Sequence, residues 1–255
     1  MLIPIYLKFR EFSYRLDMFF SPDKMNRFCP CCGLKFRAFV SGKFSDLPDK
    51  VNTLRYAKTR QDVLCPFCGS LPRHRILVAW FEERRQYLRA SDILLFAPEN
   101  SILLWMRRND ISSITADLYN SADLQLDIQA TGLCDEIYDV IICNHVLEHV
   151  DDFRIALKEV FRILRKDGIF ICSFPMDSNL ELLEEEKEPL SKEERIQRFG
   201  QYDHKRLFGL KADRFLSEMG FKVEPIRGED YPDLILPIVG PADYDINLLF
   251  CCRKG

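Results

Sequence analysis

The residues best suited to do chemistry fall into two groups. The first is a pair of matching segments, Cys29-Pro30-Cys31-Cys32-Gly33 and Cys65-Pro66-Phe67-Cys68-Gly69. Each reads Cys-Pro-x-Cys-Gly. The repeat fixes the register, so Cys29 and Cys32 correspond to Cys65 and Cys68, and Cys31 is the extra thiol. A Cys-x-x-Cys turn presents two thiolates to one ion, and two such turns complete a tetrahedral zinc site. Four thiolates leave no open position for water, so the expected zinc is structural. The second group is a series of polar residues that end apolar runs. Asp117 lies 19 residues after Pro98, close to the ~20 that separate a nucleotide-binding turn from a ribose-binding carboxylate. A carboxylate accepts from both vicinal hydroxyls of a ribose. Asp127 follows, placed to accept from an adenine amino group, and Asn144 and His145 come after a later run. Each Asp taken alone also suits a strand-end turn.

These residues need elements to position them. Residues 92–97 form a short apolar run stopped by Pro98 and read as a buried strand. A short helix over 99–108 follows, then strands over 113–117, 124–128 and 138–143. A longer helix carries Phe153, Leu157, Val160, Phe161 and Leu164 on one face and ends at Asp167-Gly168. A fifth strand covers 169–174. Alternation of this kind predicts an α/β fold with a doubly wound, mainly parallel sheet. Ligands of such sheets sit beyond the carboxyl ends of the strands. The residues read for function are therefore Phe96, Ala97, Pro98 and Glu99 after the first strand, Asp117 and Leu118 after the second, Asp127 and Ile128 at the third, and Asn144 and His145 after the fourth.

The run CNHVLEHVDDFRIALKEVFRILRKDGIFICSFP resembles the fourth-to-fifth-strand segment of class I S-adenosylmethionine (SAM)-dependent methyltransferases. The turn NHVLEH, the Leu-Arg-Lys-Asp-Gly helix end and the next strand occur in order. Residues 199–209, FGQYDHKRLFG, resemble a bacterial subgroup of these enzymes that carries an N-terminal cysteine module. The resemblance implies a seven-stranded Rossmann-like sheet whose last two strands are 221–224 and 247–252. It also implies SAM as cofactor and no catalytic metal. One departure stands out: the turn after the first strand, Phe96-Ala97-Pro98-Glu99-Asn100, lacks the usual glycine. A helix N-terminus at 99–101 still offers backbone N–H groups to the SAM carboxylate, and Glu99 suits the SAM amino group.

Methyl transfer needs an acceptor in line with the sulfonium methyl and a group to take the acceptor's proton. The chain has four histidines. His204 with Asp203 and Arg206, and His145 at the fourth-strand turn, are the candidate catalytic residues. His204 positions or deprotonates the acceptor, or else anchors a following helix. Arg206 suits an anionic group. Glu148 and His149 read better as caps of the long helix. The acid-rich stretch 181–194 reads as a mobile loop near the substrate mouth or as a solvated surface loop. Arg73, His74 and Arg75 suit either an anionic ligand or a solvated linker.

Charge divides the chain. Residues 1–90 hold 17 Lys+Arg against 8 Asp+Glu, and residues 91–255 hold 19 against 31, giving +9 and −12 and so the net −3. That supports two units, an N-terminal helix with a zinc-ribbon-like module over 1–90 and the methyltransferase domain over 91–255. Residues 2–19 place apolar side chains on one helical face, for packing or for peripheral membrane contact. No apolar stretch is long enough to span a bilayer and no secretory signal is read, which points to the cytoplasm, as does cysteine usage without a disulfide pattern. Cys134, Cys143, Cys172, Cys251 and Cys252 read mostly as small buried hydrophobes. The expected activity is methyl transfer from SAM to a polar small molecule or glycan. The alternatives are an RNA methyltransferase that docks nucleic acid through the basic module, and a catalytically silent binding protein.

Overall fold

A computed structural model describes residues 26–42, 60–177, 179–232, 235 and 248–255. The helix expected over 2–19 lies outside them. The cysteine region forms two small antiparallel ribbons, β1 (Arg27–Cys29) with β2 (Leu34–Phe36) and β3 (Val40–Gly42) with β4 (Arg60–Leu64). Helices α1 (Pro72–Glu82) and α2 (Arg85–Arg89) lead into the α/β region.

There the order is β5 (Ile93–Phe96), α3 (Asn100–Arg108), β6 (Ile114–Asp117), β7 (Leu124–Gln125), β8 (Tyr138–Asn144), α4 (Phe153–Ile163) and β9 (Leu164–Ser173). A hairpin partner β10 (Leu183–Glu185), α5 (Lys192–Phe199), β11 (Arg206–Phe208), α6 (Asp213–Glu218), β12 (Phe221–Arg227) and β13 (Leu248–Lys254) follow. Seven strands make one sheet in the order β12-β13-β9-β8-β5-β6-β7. The pairs from β7 through β9 are all parallel, whereas β13 runs antiparallel to both β9 and β12. Numbered within the sheet, this is 6-7-5-4-1-2-3, a doubly wound arrangement with a reversed strand inserted between the fifth and sixth.

The inner strands β5, β8, β9 and β13 are largely buried on both faces, and their side chains alternate between two cores. Ile93, Leu95, Ile142, Ile171, Leu249 and Cys251 face one cluster. Leu94, Phe96, Cys143, Cys172, Phe250 and Cys252 face the other, which α4 covers with Phe153, Ala156, Leu157 and Val160. The first cluster is covered by Ile76, Leu77, Trp80 and Phe81 of α1 and by Ile102 and Trp105 of α3, and it runs on into Cys29, Cys31, Phe36 and Phe39. Helix α1 therefore lies on the sheet in space, although the boundary expected at 90/91 places it in the N-terminal unit.

Three expectations are corrected. Helix α4 stops at Ile163, not at Asp167-Gly168, because Glu136 and Ile137 donate their N–H groups to the carbonyls of Arg162 and Ile163 and draw Leu164 into extended backbone. The acid-rich stretch is ordered rather than a mobile loop. It forms β10 against β11 and helix α5, with a Ser191/Glu194 capping box, and Glu184, Glu185 and Glu186 pair with Arg198, Arg206 and Arg195. Cys134 is exposed, unlike the four strand cysteines.

Trp105 ties α3 to α1. It is fully buried, its Nε1 donates to Glu82 Oε1 at 2.6 Å, and its ring lies 5.3 Å from that of Phe81. Trp105→Ala should lower the free energy of unfolding by about 3–5 kcal/mol through the cavity and the orphaned carboxylate. Denaturant titration checks this; an unchanged midpoint would mean that the helix contact contributes nothing.

Candidate functional site

The strand order reverses between β5 and β8, so the crevice for a ligand opens beyond the carboxyl ends of these two strands. The turn after β5 holds Ala97 at φ 46°, in the left-handed region that glycine fills easily. Ala97 is kept there by its N–H, which donates to Ala116 O at 2.8 Å. The turn thus reaches a glycine-like conformation without glycine, at a strain of about 1–2 kcal/mol. Across the crevice His145 stands at φ 53° directly after β8, with its N–H bonded to Ser173 O.

Glu99 is the hub between them. Its Oε1 accepts from Arg73 Nη2 at 2.6 Å and from His74 Nε2 at 2.5 Å, and Asn144 Nδ2 lies 3.5 Å from Oε2. Asn144 is held in turn by Ser173 Oγ, which donates to its Oδ1. His74 accepts at Nδ1 from the Leu71 N–H at 3.1 Å, with Ser101 Oγ 2.8 Å away. A backbone N–H can only donate, so Nδ1 carries no proton and the ring is neutral, with its proton on Nε2 toward Glu99. Burial accordingly pulls the His74 pKa down to about 4, and the Arg73 and His74 donors hold the Glu99 carboxyl far below its usual range. Neither Arg73 nor His74 is a solvated linker residue, and Arg75 is buried at the cysteines.

Asp117 ends β6, beside β5, as expected. Its Oδ1 accepts from the N–H groups of Tyr119 and Asn120 at 2.8 and 2.7 Å, which leaves Oδ2 with only Asn120 Nδ2 at 3.3 Å. Leu118 is exposed beside it. Asp127 closes a turn by accepting from Gln129 N at 2.8 Å, and Ile128 is buried.

The candidate catalytic residues gather under the turn that follows β8. His145 Nδ1 is 3.1 Å from Glu148 Oε1, and His149 Nδ1 is 3.3 Å from Asp203 Oδ2. The His149 and His204 rings meet edge to face at 4.8 Å. His204 is 1% exposed and its Nδ1 lies 2.9 Å from Phe199 O. Glu148 and His149 do not cap α4, because Asp152 does so by accepting from the Arg154 N–H. Arg206 has no free face for an anion. It is 1% exposed and donates to the carbonyls of Leu147, Val150 and Asp151 and to Glu185. It grips the turn that carries Glu148 and His149, a role that needed the fold to be seen.

Also beside the start of α1, the Sγ atoms of Cys29, Cys32, Cys65 and Cys68 all lie within 4.8 Å of one another. Cys29–Cys68 and Cys32–Cys65 are each 3.7 Å apart. Zinc–sulfur bonds of about 2.3 Å in a tetrahedron place the sulfurs roughly 3.8 Å apart. Both knuckles close alike, with Gly33 N–H on Cys29 O and Gly69 N–H on Cys65 O, and both glycines have positive φ. Ser70 Oγ stands 3.1 Å from Cys29 Sγ. The buried Arg75 donates to Val63 O and Ser70 O beside the cluster, and its guanidinium lies 3.9 Å over the Phe39 ring. Four thiolates around a dication carry surplus negative charge, and this cation suits it. The residues fit zinc.

Residues 108–172, from the end of α3 through most of β9, match the family model of a methyltransferase domain. The α/β part of this chain has a Rossmann-like sheet, and this segment of it resembles a methyltransferase domain. Among solved structures it is similar to a SAM-dependent methyltransferase from Archaeoglobus fulgidus, at 15% identity over 73% of this chain and 95% of that one, with a TM-score of 0.48. It is also similar to one from Mesorhizobium loti, at 14% identity over 70% and 98%, with the same TM-score. A comparison with curated proteins gives no match. The matched segment contains β6, β7, β8, the turn NHVLEH, α4 and nearly all of β9, whereas β5, Ala97 and Glu99 lie before it.

The His74 geometry predicts acid sensitivity. Its folded pKa lies below the unfolded value, so the neutral ring stabilises the fold above pH ~6.5, and this contribution is lost as pH falls from 6.5 towards about 4. The full loss is about 3 kcal/mol. Unfolding measured across pH 7 to 4 should show a smaller drop in His74→Gln than in the unsubstituted protein; parallel curves would contradict a neutral, buried ring.

Proposed function

We propose that the chain transfers the SAM methyl group to a hydroxyl or other polar group of a small molecule or glycan. The observation that carries this is the cluster of Asp203, His204, His145, Glu148 and His149 just past β8, opposite the Glu99 side of the crevice. SAM binds with its ribose on Asp117 Oδ2, its adenine beside Asp127 and Ile128, and its amino group on Glu99 Oε2. Phe96, Ala97 and Pro98 form the floor under it. The acceptor approaches from the side of the histidines. The carbon–sulfur bond breaks with its electron pair going to sulfur, the acceptor's lone pair takes the methyl, and the acceptor's proton passes to the polar cluster or to solvent.

Five of the basic residues behind the RNA alternative are held within the chain. Arg73, Arg84, Arg85 and Arg89 pair with Glu99, Glu83, Glu82 and Asp110, and Arg75 is buried. These cations are neutralised by partners within the chain. No helix among the described residues is long and apolar enough to cross a membrane.

The test is to incubate the protein with isotopically labelled SAM and, in parallel, with a small-metabolite extract, a glycan fraction and total RNA. Label should enter the first or second pool, whereas label in RNA alone would overturn the acceptor class. In the same reading, Asp117→Asn keeps the loop-closing Oδ1 but replaces Oδ2 with a donor. Loss of one hydrogen bond to a charged group, about 1.5–3 kcal/mol, should weaken SAM binding at least tenfold. An unchanged dissociation constant in calorimetry would put the ribose elsewhere.

The cysteine cluster holds one structural zinc, with Cys29, Cys32, Cys65 and Cys68 as ligands. Cys65→Ser should lose the metal and loosen α1, while Cys31→Ser should keep it, because Cys31 stands outside the tetrahedron. Elemental analysis that finds zinc undiminished in Cys65→Ser would remove this assignment.

A further inference from the structure

Apart from the cysteines, one other group of side chains converges as metal ligands do among the described residues. Glu148, His149 and His204 each offer a ligand atom, and these atoms all lie within 4.8 Å of one another. We propose that they bind a divalent transition-metal ion at the acceptor side of the crevice, distinct from the zinc at the cysteines. Only the phrase "acceptor side" rests on the methyl-transfer reading; the ion site stands on its own geometry.

Three observations carry it. First, Glu148 is 0% exposed, and neither carboxylate oxygen has a well-directed hydrogen bond among the described residues. The nearest groups are ring nitrogens, His145 Nδ1 at 3.1 Å and His149 Nε2 at 3.9 Å from Oε1. A buried carboxylate without donors costs several kcal/mol unless a cation answers it. Second, both ligand histidines have their other nitrogen tied down by an acceptor. His204 Nδ1 meets the Phe199 carbonyl at 2.9 Å, and His149 Nδ1 meets Asp203 Oδ2 at 3.3 Å. A carbonyl and a carboxylate take hydrogen bonds, so each Nδ1 carries the proton and each Nε2 has a lone pair to give. Metal-binding histidines are oriented in this way. Third, the turn that carries Glu148 and His149 is rigid, gripped at three carbonyls by the buried Arg206 and followed directly by α4.

The donor set is two imidazoles and one carboxylate. Such a set suits Zn²⁺, Fe²⁺, Co²⁺ or Mn²⁺ better than an all-oxygen cation such as Ca²⁺, and it leaves coordination positions open. A hydroxyl of the acceptor bound at an open position would lose its proton to solvent more readily near neutral pH. This departs from the expectation of a methyltransferase without a catalytic metal. It also gives Asp203 a task, that of orienting His149.

The test uses the full-length, zinc-bearing protein titrated with Co²⁺, read by calorimetry, elemental analysis and the visible spectrum. One additional cobalt per chain should bind, with the weak bands of nitrogen and oxygen ligands and without thiolate charge-transfer bands. Glu148→Gln and His204→Gln should weaken that binding by about a hundredfold. Asp203→Asn, which leaves every ligand in place, should weaken it roughly 10–100-fold. SAM affinity and melting temperature report whether each variant is folded. The proposal is overturned if the parent protein binds no cobalt beyond its zinc, if the cobalt shows thiolate bands, or if it binds equally well to folded Glu148→Gln and Asp203→Asn. In the first case a shared proton, rather than an ion, answers the Glu148 charge. Cobalt bound at this site in a protein that methylates nothing would sink the acceptor reading alone. Methyl transfer by a protein that binds no cobalt beyond its zinc would sink this one alone.

Discussion

A carboxylate mostly withdrawn from water has to be answered by donors, and Glu99, half-buried, places that demand at the mouth of the crevice. It stands at the end of the turn after β5, where the strand order reverses and the crevice opens. Two of its donors, Arg73 and His74, come from the first turn of α1, and a third group, Asn144, comes from the end of β8. Satisfying one charge therefore fixes three segments at the mouth of the crevice. The same demand bears on the missing glycine. Ala97 holds the positive φ of the turn, and the hydrogen bond to Ala116 together with the anchoring at Glu99 keeps that strained residue in place.

The remaining buried charges obey the same rule in different ways. Arg75 and Arg206 are among the largest fully buried side chains, and both spend their donors mainly on backbone carbonyls. A guanidinium used in this manner fastens loops that have no strand partner of their own. Arg75 closes the second knuckle and reaches Ile235, while Arg206 closes the turn after β8. Glu148 is the exception: two residues from carbonyls that Arg206 satisfies, it has imidazole nitrogens around it and no backbone N–H. That contrast marks it as a group set aside for something other than holding the fold.

Much of the sheet was legible in the sequence because its strands are short, β-branched and bounded. Residues 138–143 and 169–174 could hardly be anything else, and the polar residues that end them fall at the crevice as the α/β rule requires. The matching Cys-Pro-x-Cys-Gly segments likewise named their four sulfurs, since a repeat carries register. What could not be read depended on long-range partners. The apolar stripe of α1 announces burial but not the surface that buries it, so its place on the sheet stayed hidden behind a boundary drawn from charge. Arg206 looked like an anion ligand because sequence shows a cation's charge and not the carbonyls around it. The acids of 181–194 looked mobile because the arginines that pair with them lie on a later helix and strand. His149 looked like a helix cap because Asp152, three residues on, competes for that role and wins only through its hydrogen bond to Arg154.

The position of α1 changes the meaning of the cysteine module. A basic knuckle beside an acidic catalytic domain suggests an arm that reaches for a separate partner. Here, however, the helix leaving the second knuckle packs on the sheet through Ile76, Leu77, Trp80 and Phe81 and delivers Arg73 and His74 to Glu99 in the turn after β5. Cys68 and His74 are only a few residues apart, and Ser70 and Arg75 between and beside them touch the cysteine cluster and its carbonyls. An ion gathering the four sulfurs would thus set the start of α1, and the start of α1 sets the donors on Glu99. The module is then best understood as the outer wall of the crevice, built from a metal clip because its ribbons are too small to hold a core unaided. Among the described residues, Arg73 and Arg89 pair with Glu99 and Asp110 across the boundary that the charge suggested, and so help to hold the two parts together.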